Sequence, residues 1–296
     1  MRIVTRGDLD GLTCAVLIGL NEGIDDVLLT HPQEMVEGRV DIESTDIIAN
    51  LPYREGCLKW FDHHQHTVNL APPGEFDGAF ERAPSAARLV YEYYGGEAKM
   101  PQFAELVLQT DRLDSANLTL DDILDPQEYI KLGFTIDGRS GLGAFEGYFF
   151  TLMSLLMRNT PIDDILFHPQ VRERTQRLEE EDIGLHTALQ EHSTVQGNVV
   201  LTDFRPLERI PAGNRFLVYA LFPNVNVSAR VQWGPKKAFA MLTLGHSILQ
   251  RTCKTNVGEL AARYGGGGHQ GAGSIKLVED ADYQISMIMA ELQANG

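Results

Sequence analysis

The sequence predicts a two-domain α/β protein: an N-terminal domain on a mostly parallel sheet flanked by helices, and a smaller α/β domain with a mixed sheet, separated by a cleft. Three observations carry this expectation. The chain has 296 residues, more than one domain usually holds. Apolar runs of strand length alternate with helical stretches through the first half, the pattern of a parallel sheet with crossover helices. After a long polar stretch, a second strand-rich segment with its own helices begins near Val199. Hydrophobic residues at 43% and charged residues at 22% suit a globular chain with a sizeable core.

The elements follow in order. MRIVT at 1–5 is a short apolar strand, and GLTCAVLIG at 11–19 reads as a buried helix reached through an acidic turn. DVLLT at 26–30, DIIA at 46–49 and LKWF at 58–61 are further strands, each ending near polar residues. Helices are expected at 85–94, with Ser85 as N-cap, and at 101–113. From 144 to 192 the pattern is helical, and its polar part, 171–192, reads as a long exposed connector. VVLTDF, VSARVQW and AFAMLTL then read as strands, followed by a helix near 257–264, a glycine run, strand-like SIKLV and a last helix. The domain boundary is placed between 195 and 196.

Charge and composition narrow the function. The net charge is −16, which excludes tight non-specific binding to long duplex nucleic acid, a process that needs a basic surface. Residues 196–296 hold 10 Lys+Arg and 7 Asp+Glu, so this net +3 segment is set against −19 in the rest. An acidic half suits divalent cations, and a mildly basic one suits an anionic group. No run approaches the roughly 18 apolar residues of a spanning helix, and the first ten residues carry Arg2, Arg6, Asp8 and Asp10 rather than a signal core. A cytoplasmic protein without membrane partners is expected. Cys14, Cys57 and Cys253 are widely spaced with no CxxC pair, so they read as reduced packing thiols.

Three clusters carry chemistry. Arg6-Gly7-Asp8-Leu9-Asp10-Gly11 follows the first strand; its two carboxylates can meet one ion, although such a turn also serves as a helix-entry cap. Asp62-His63-His64, trailed by Gln65 and His66, closes another strand, where one imidazole can bind metal, its neighbour can face substrate and Asp62 can orient one ring. The alternative is a surface histidine run. Tyr264 to Ser274 contains Gly265, Gly266, Gly267 and Gly268 followed by His269; bare backbone there can form a nest for phosphate, and a flexible linker is the alternative.

Together these segments resemble the DHH phosphoesterase family, in particular its members with a DHH-associated C-terminal domain, over nearly the whole chain. Asp8 and Asp10 match the family's first motif, Asp62, His63 and His64 the Asp-His-His triplet, Asp111 in Gln-Thr-Asp-Arg-Leu-Asp the later aspartate, and Gly265 to Gly273 the C-terminal Gly-Gly-Gly-His motif. The resemblance implies a manganese- or magnesium-dependent hydrolase of phosphodiester or phosphoanhydride bonds, related to RecJ nucleases, nanoRNases and exopolyphosphatases. It implies Asp8 at one metal, Asp10, His63 and Asp111 at the other, and His64, Gly266, Gly267, Gly268, His269 and Arg251 at the substrate. The substrate expected is a small anionic one: a short oligonucleotide, a cyclic dinucleotide or polyphosphate. A homodimer is compatible with the sequence, which does not set the oligomeric state.

Two positions depart from the family pattern. Arg6 stands where the family has histidine, and a guanidinium cannot ligate a metal. Asn50 stands where a bridging carboxylate is expected, and its amide oxygen is neutral. One firm metal at Asp10, His63 and Asp111 is therefore expected, with a second, weaker site as the alternative, and Arg6 either pairs with Asp8 or grips phosphate. An inactive phosphate-binding protein is the competing function. Asp114, Ser115 and Asn117 rank below Asp111 as site candidates, since a polar turn explains them equally well.

Overall fold

A computed structural model describes residues 1–64, 74–136, 142 and 146–294. Gln65, His66 and the first two positions of the helical stretch expected from 144 lie outside these. The chain opens with β1 (Arg2–Thr5), α1 (Leu9–Glu22), β2 (Asp26–Leu29), a short α2 (Pro32–Val36), β3 (Asp46–Ala49), β4 (Lys59–Asp62), β5 (Gly78–Phe80) and α3 (Ala86–Tyr93). Helices follow in succession: α4 (Gly96–Lys99), α5 (Ala104–Asp114), α6 (Leu120–Leu124), α7 (Glu128–Ile136), α8 (Glu146–Met157), α9 (Ile162–Phe167) and α10 (Pro169–His192). The remainder runs β6 (Ser193–Gln196), β7 (Val199–Asp203), α11 (Leu217–Leu221), β8 (Val227–Trp233), β9 (Ala240–His246), α12 (Val257–Arg263), β10 (Gly267–His269), β11 (Ala272–Leu277) and α13 (Ala281–Ala294).

Contacts divide the chain into two units, residues 1–117 with 126–178, and residues 118–125 with 179–296. This division falls inside α10, and the expected boundary between 195 and 196 lies within β6, which begins at Ser193. Residues 118–125 join the second unit, within which Asn214 Nδ2 donates to the Ile123 carbonyl at 3.0 Å.

The first unit holds a wholly parallel five-stranded sheet in the order β2-β1-β3-β4-β5. Ile3, Val4, Ile47, Ile48 and Phe61 are fully buried, as central strands covered on both faces require. β1 has β2 on one side and β3 on the other, so the winding reverses at β1. The crevice beyond the carboxyl ends of such strands is where ligands collect in open α/β sheets. Asp8 and Asp10 follow β1, Asn50 follows β3, and Asp62 to His64 close β4. Asp8, Asp10, Asn50 and Asp62 to His64 therefore stand at this rim. Trp60, with Val4, Met35, Ile48 and Leu51, fills the core on one side, stacked on Phe80 at 4.6 Å between ring centres.

α1 starts two residues before the apolar run because Asp8 caps it, its carboxylate accepting the Gly11 N–H at 2.9 Å. Asp10 is thereby drawn into the first helical turn and buried. A side chain at Gly11 has no room, since an added Cβ would lie 2.1 Å from the Arg6 carbonyl oxygen. Gly11→Ala is expected to lower unfolding free energy by about 1–3 kcal/mol in a urea titration. An unchanged midpoint would mean that this turn relaxes freely.

The second unit holds a mixed six-stranded sheet in the order β10-β11-β9-β8-β7-β6, in which only β7 and β8 run parallel. Alternation along VSARVQW and AMLTLGH sends Val227, Ala229, Val231, Leu242 and Leu244 into a core with Leu260 of α12 and Ile288 of α13. The other face carries Thr202, Ser228, Arg230, Thr243 and Ser274 beside the buried Val200. No helix among the described residues is long and apolar enough to cross a membrane, and all three cysteines are unpaired.

Candidate functional site

Asp10 is built to be an anion in a place that resists charge. Its carboxylate is almost wholly buried, and it accepts the N–H groups of Ala87 at 2.7 Å and Ala86 at 2.9 Å. These are the first two residues of α3, so the helix's positive end faces the carboxylate. Burial, and then the nearby Asp114 charge, push the Asp10 carboxyl up to about 7. Cys14 Sγ lies 3.8 Å from Asp10 Oδ1, and burial followed by the Asp10 charge raises its pKa, so it remains a thiol.

His63 arrives from the end of β4. Its Nδ1 lies 3.0 Å from the Ala83 carbonyl and donates to it, which aims Nε2 at the carboxylates. Nε2 stands 3.2 Å from Asp114 Oδ2 and 3.8 Å from Asp10 Oδ2, yet it makes no aligned hydrogen bond and is shut off from solvent. Burial opposes charge on this ring, but Asp114 and Asp10 outweigh it and hold the pKa up at about 9. For Asp114 too, burial is outweighed, here by His63, and its carboxyl is held below the ordinary value. Thr13 and Thr110, whose hydroxyls meet at 2.9 Å, tie α1 to α5 one turn from Asp10 and Asp114.

Asp10, His63 and Asp114 each offer a ligand atom within 4.8 Å of the others. Two carboxylates and an imidazole nitrogen without an aligned hydrogen bond are a donor set that fits a divalent ion of the manganese or magnesium type. Such an ion supplies the positive charge that the buried Asp10 lacks.

The structure engages Asp111 elsewhere. Its Oδ2 accepts Arg88 Nε at 2.9 Å and Nη2 at 2.5 Å, and its Oδ1 accepts Ser85 Oγ at 2.6 Å. Asp111 and Asp114 lie three apart on one face of α5. Arg88 of α3 meets the first of them, and the last residue of the helix reaches His63. Nothing in the sequence pattern separates the two carboxylates, because the residue that does so is on another helix.

Asp8 is neutralised from within the chain. Arg6 Nε lies 3.2 Å from its Oδ2, and Asn50 Nδ2 donates to its Oδ1 at 3.1 Å. Asn50 is fully buried with φ 57°, a left-handed conformation that asparagine tolerates. Its amide oxygen has no hydrogen-bond partner. Of the two roles expected for Arg6, this geometry is the pairing with Asp8.

Asp62 is fully buried; its Oδ1 accepts the N–H of His63 at 2.9 Å and the Nδ1–H of His64 at 2.7 Å. The orientation expected of Asp62 is thus directed at His64, whose ring remains 37% exposed. In the second unit the glycine run leaves a turn at Gly265 and enters a strand at Gly267, with Gly267–His269 paired to Ala272–Ser274. Glycine is needed there because a Cβ on Gly266 or Gly268 would lie 2.2 Å from the carbonyl oxygen of Ser274 or Ala272. Gly267 alone of these three opens onto free space. His269 Nδ1 accepts the Gly271 N–H at 3.2 Å. Arg251 is exposed in a turn, donating to the Ile248 carbonyl at 3.0 Å.

No protein-family model and no curated protein sequence matches the chain. Among solved structures, it is similar to the pGpG-specific phosphodiesterase PggH from Vibrio cholerae, with 38% identity, 100% of this chain and 99% of that one covered, and a TM-score of 0.88. An exopolyphosphatase-related protein from Bacteroides fragilis matches at 14% identity over 99% of this chain and 91% of that one, with a TM-score of 0.54. RecJ from Thermus thermophilus, in complex with Mn2+, matches at 14% identity over 99% and 51%, also with a TM-score of 0.54. The last two likenesses concern the fold alone.

Proposed function

The chain belongs to the DHH phosphoesterase family and is a metal-dependent phosphohydrolase of a small phosphodiester, and from this premise we propose that its substrate is a short 5′-phosphorylated dinucleotide such as pGpG. The observation that carries this is the 38% identity running through both chains end to end. The net charge of −16 also disfavours long nucleic acid.

Asp10, His63 and Asp114 would hold one firm ion, manganese or magnesium. When bound, such an ion acidifies a water and draws charge from phosphoryl oxygens. His64, kept in one tautomer by Asp62, would donate to a substrate phosphate. Arg6 holds Asp8 with a permanent charge, and Asn50 offers only a neutral oxygen, which supports a second site that is weak. The glycine hairpin of the second unit would contact substrate at Gly267, with His269 beside it and Arg251 as a further contact. Three unpaired thiols support a reducing, cytoplasmic setting.

The test is hydrolysis of pGpG, longer RNA, a cyclic dinucleotide and polyphosphate, with manganese, magnesium or chelator, alongside metal analysis. Metal-dependent turnover favouring pGpG, with one tightly held ion per chain, is expected. Polyphosphate as the preferred substrate, or two tight manganese ions per chain, would contradict the reading, and nucleotide binding without turnover would point to a sensor.

A further inference from the structure

The face of the second sheet turned from its core carries a cation with nothing to neutralise it. Arg230 sits mid-strand in β8 between Ala229 and Val231, which point into the apolar core, so its own side chain takes the opposite face. Its Nε is closed to solvent and has no hydrogen-bond partner, and no ion pair reaches the side chain among the described residues. The contact it does make is with the Phe204 ring, 5.0 Å from its centre. Burial alone lowers its pKa, with no neighbouring carboxylate to raise it. Asp203, in the adjacent strand, is held by Arg205 at 2.6 Å. Arg205 on the same sheet meets Asp203 and Asp282, whereas the half-buried Arg230 has a closed Nε and, among the described residues, no carboxylate beside it, an arrangement that costs stability.

The register aligns Thr202, Arg230, Thr243, Ser274 and Gly267 across five strands. Arg230 thus shares one row, on one face, with hydroxyl side chains and with the glycine that opens onto free space. Three strand spacings, about 14 Å, separate its backbone from Gly267, too far for both to hold the same phosphate group.

We propose that Arg230 is a phosphate-binding residue that takes the non-reacting terminal phosphate of the substrate through its planar fork. The assignment rests on the reading of the chain as a hydrolase of short phosphorylated nucleotides and adds the group that selects them. An anion arriving on this face supplies the counter-charge missing from the free protein, so ligand binding repays a strain built into the sheet.

The experiment compares pGpG with GpG, the same dinucleotide lacking its 5′-phosphate, in wild type and Arg230→Met. Wild type is expected to prefer pGpG, and the variant to lose that preference about 10- to 100-fold, chiefly through KM. Inorganic phosphate should raise the melting temperature of wild type and leave that of the variant unmoved. Ligand-free R230M should melt no lower than wild type, because an apolar side chain of similar length relieves the unpaired charge, whereas loss of a structural brace would lower it. An undiminished preference for pGpG, or a lower melting temperature with unchanged KM, overturns the assignment. Arg230→Lys keeps the charge without the fork and is the second arm: a several-fold rise in KM for pGpG is expected, and no change overturns it. If wild type cleaves neither dinucleotide while phosphate still stabilises it and not R230M, the substrate reading fails and the anion site stands.

Discussion

Asp10→Asn lowers kcat by about a thousandfold or more while leaving the fold intact. The substitution keeps the shape of the side chain, but its single oxygen can accept only one of the two N–H groups at the N-terminus of α3, since Ala86 and Ala87 meet separate oxygens of Asp10. What disappears is a buried negative charge facing His63 and Asp114. Removing that charge weakens the ion's attraction to the site, and a loss of about 4 kcal/mol in transition-state stabilisation corresponds to this factor. Because Asp10 is held up at about 7 by burial and Asp114, neutralising it relieves a cost in the metal-free protein. Against that relief stands the buried N–H left without an acceptor, so the diagnostic change is loss of the stabilisation that manganese confers. Steady-state turnover and melting curves with and without manganese check this. Retention of more than a tenth of wild-type turnover would remove Asp10 from the metal set.

Metal affinity rises steeply with pH. An ion needs both Asp10 and His63 deprotonated, and in the free protein these groups stand at about 7 and about 9. Below pH 7 the ion displaces protons from both, so affinity climbs by nearly two decades per pH unit; between 7 and 9 His63 alone yields a proton, and the slope falls towards one. The gain between about pH 6 and pH 8 is on the order of a hundredfold or more, and metal binding at neutral pH acidifies a weakly buffered solution. Calorimetric titrations with manganese at several pH values, in buffers of different ionisation enthalpy, measure both slope and proton count. A flat profile would mean that the ion does not meet these two groups.

Most of the rim was legible in the sequence, because its residues are either adjacent or fixed by a single turn. Asp8 and Asp10 straddle the start of α1, and Asp62 to His64 close one strand, so local rules place them. The choice between Asp111 and Asp114 was not legible. Both occupy one face of α5, and Arg88 on α3 pairs with Asp111 through a contact that no periodicity encodes. β5 and β6 escaped for a different reason: Gly-Ala-Phe is too short to show alternation, and Ser-Thr-Val-Gln is largely polar. β10 escaped because a glycine run carries no side chains by which a strand announces itself. Arg230 was visibly out of phase with the apolar residues of β8, but its lack of a partner is a property of the folded sheet alone.

The Arg6–Asp8 pair has a consequence for how the protein meets scarcity. A guanidinium fastened to the chain cannot be washed out, diluted or traded for another cation, whereas a second ion would have to be captured from the medium on every cycle of loss. On the proposed reading with one firm ion, activity would track free metal to the first power, and metal starvation would switch it off gradually instead of abruptly.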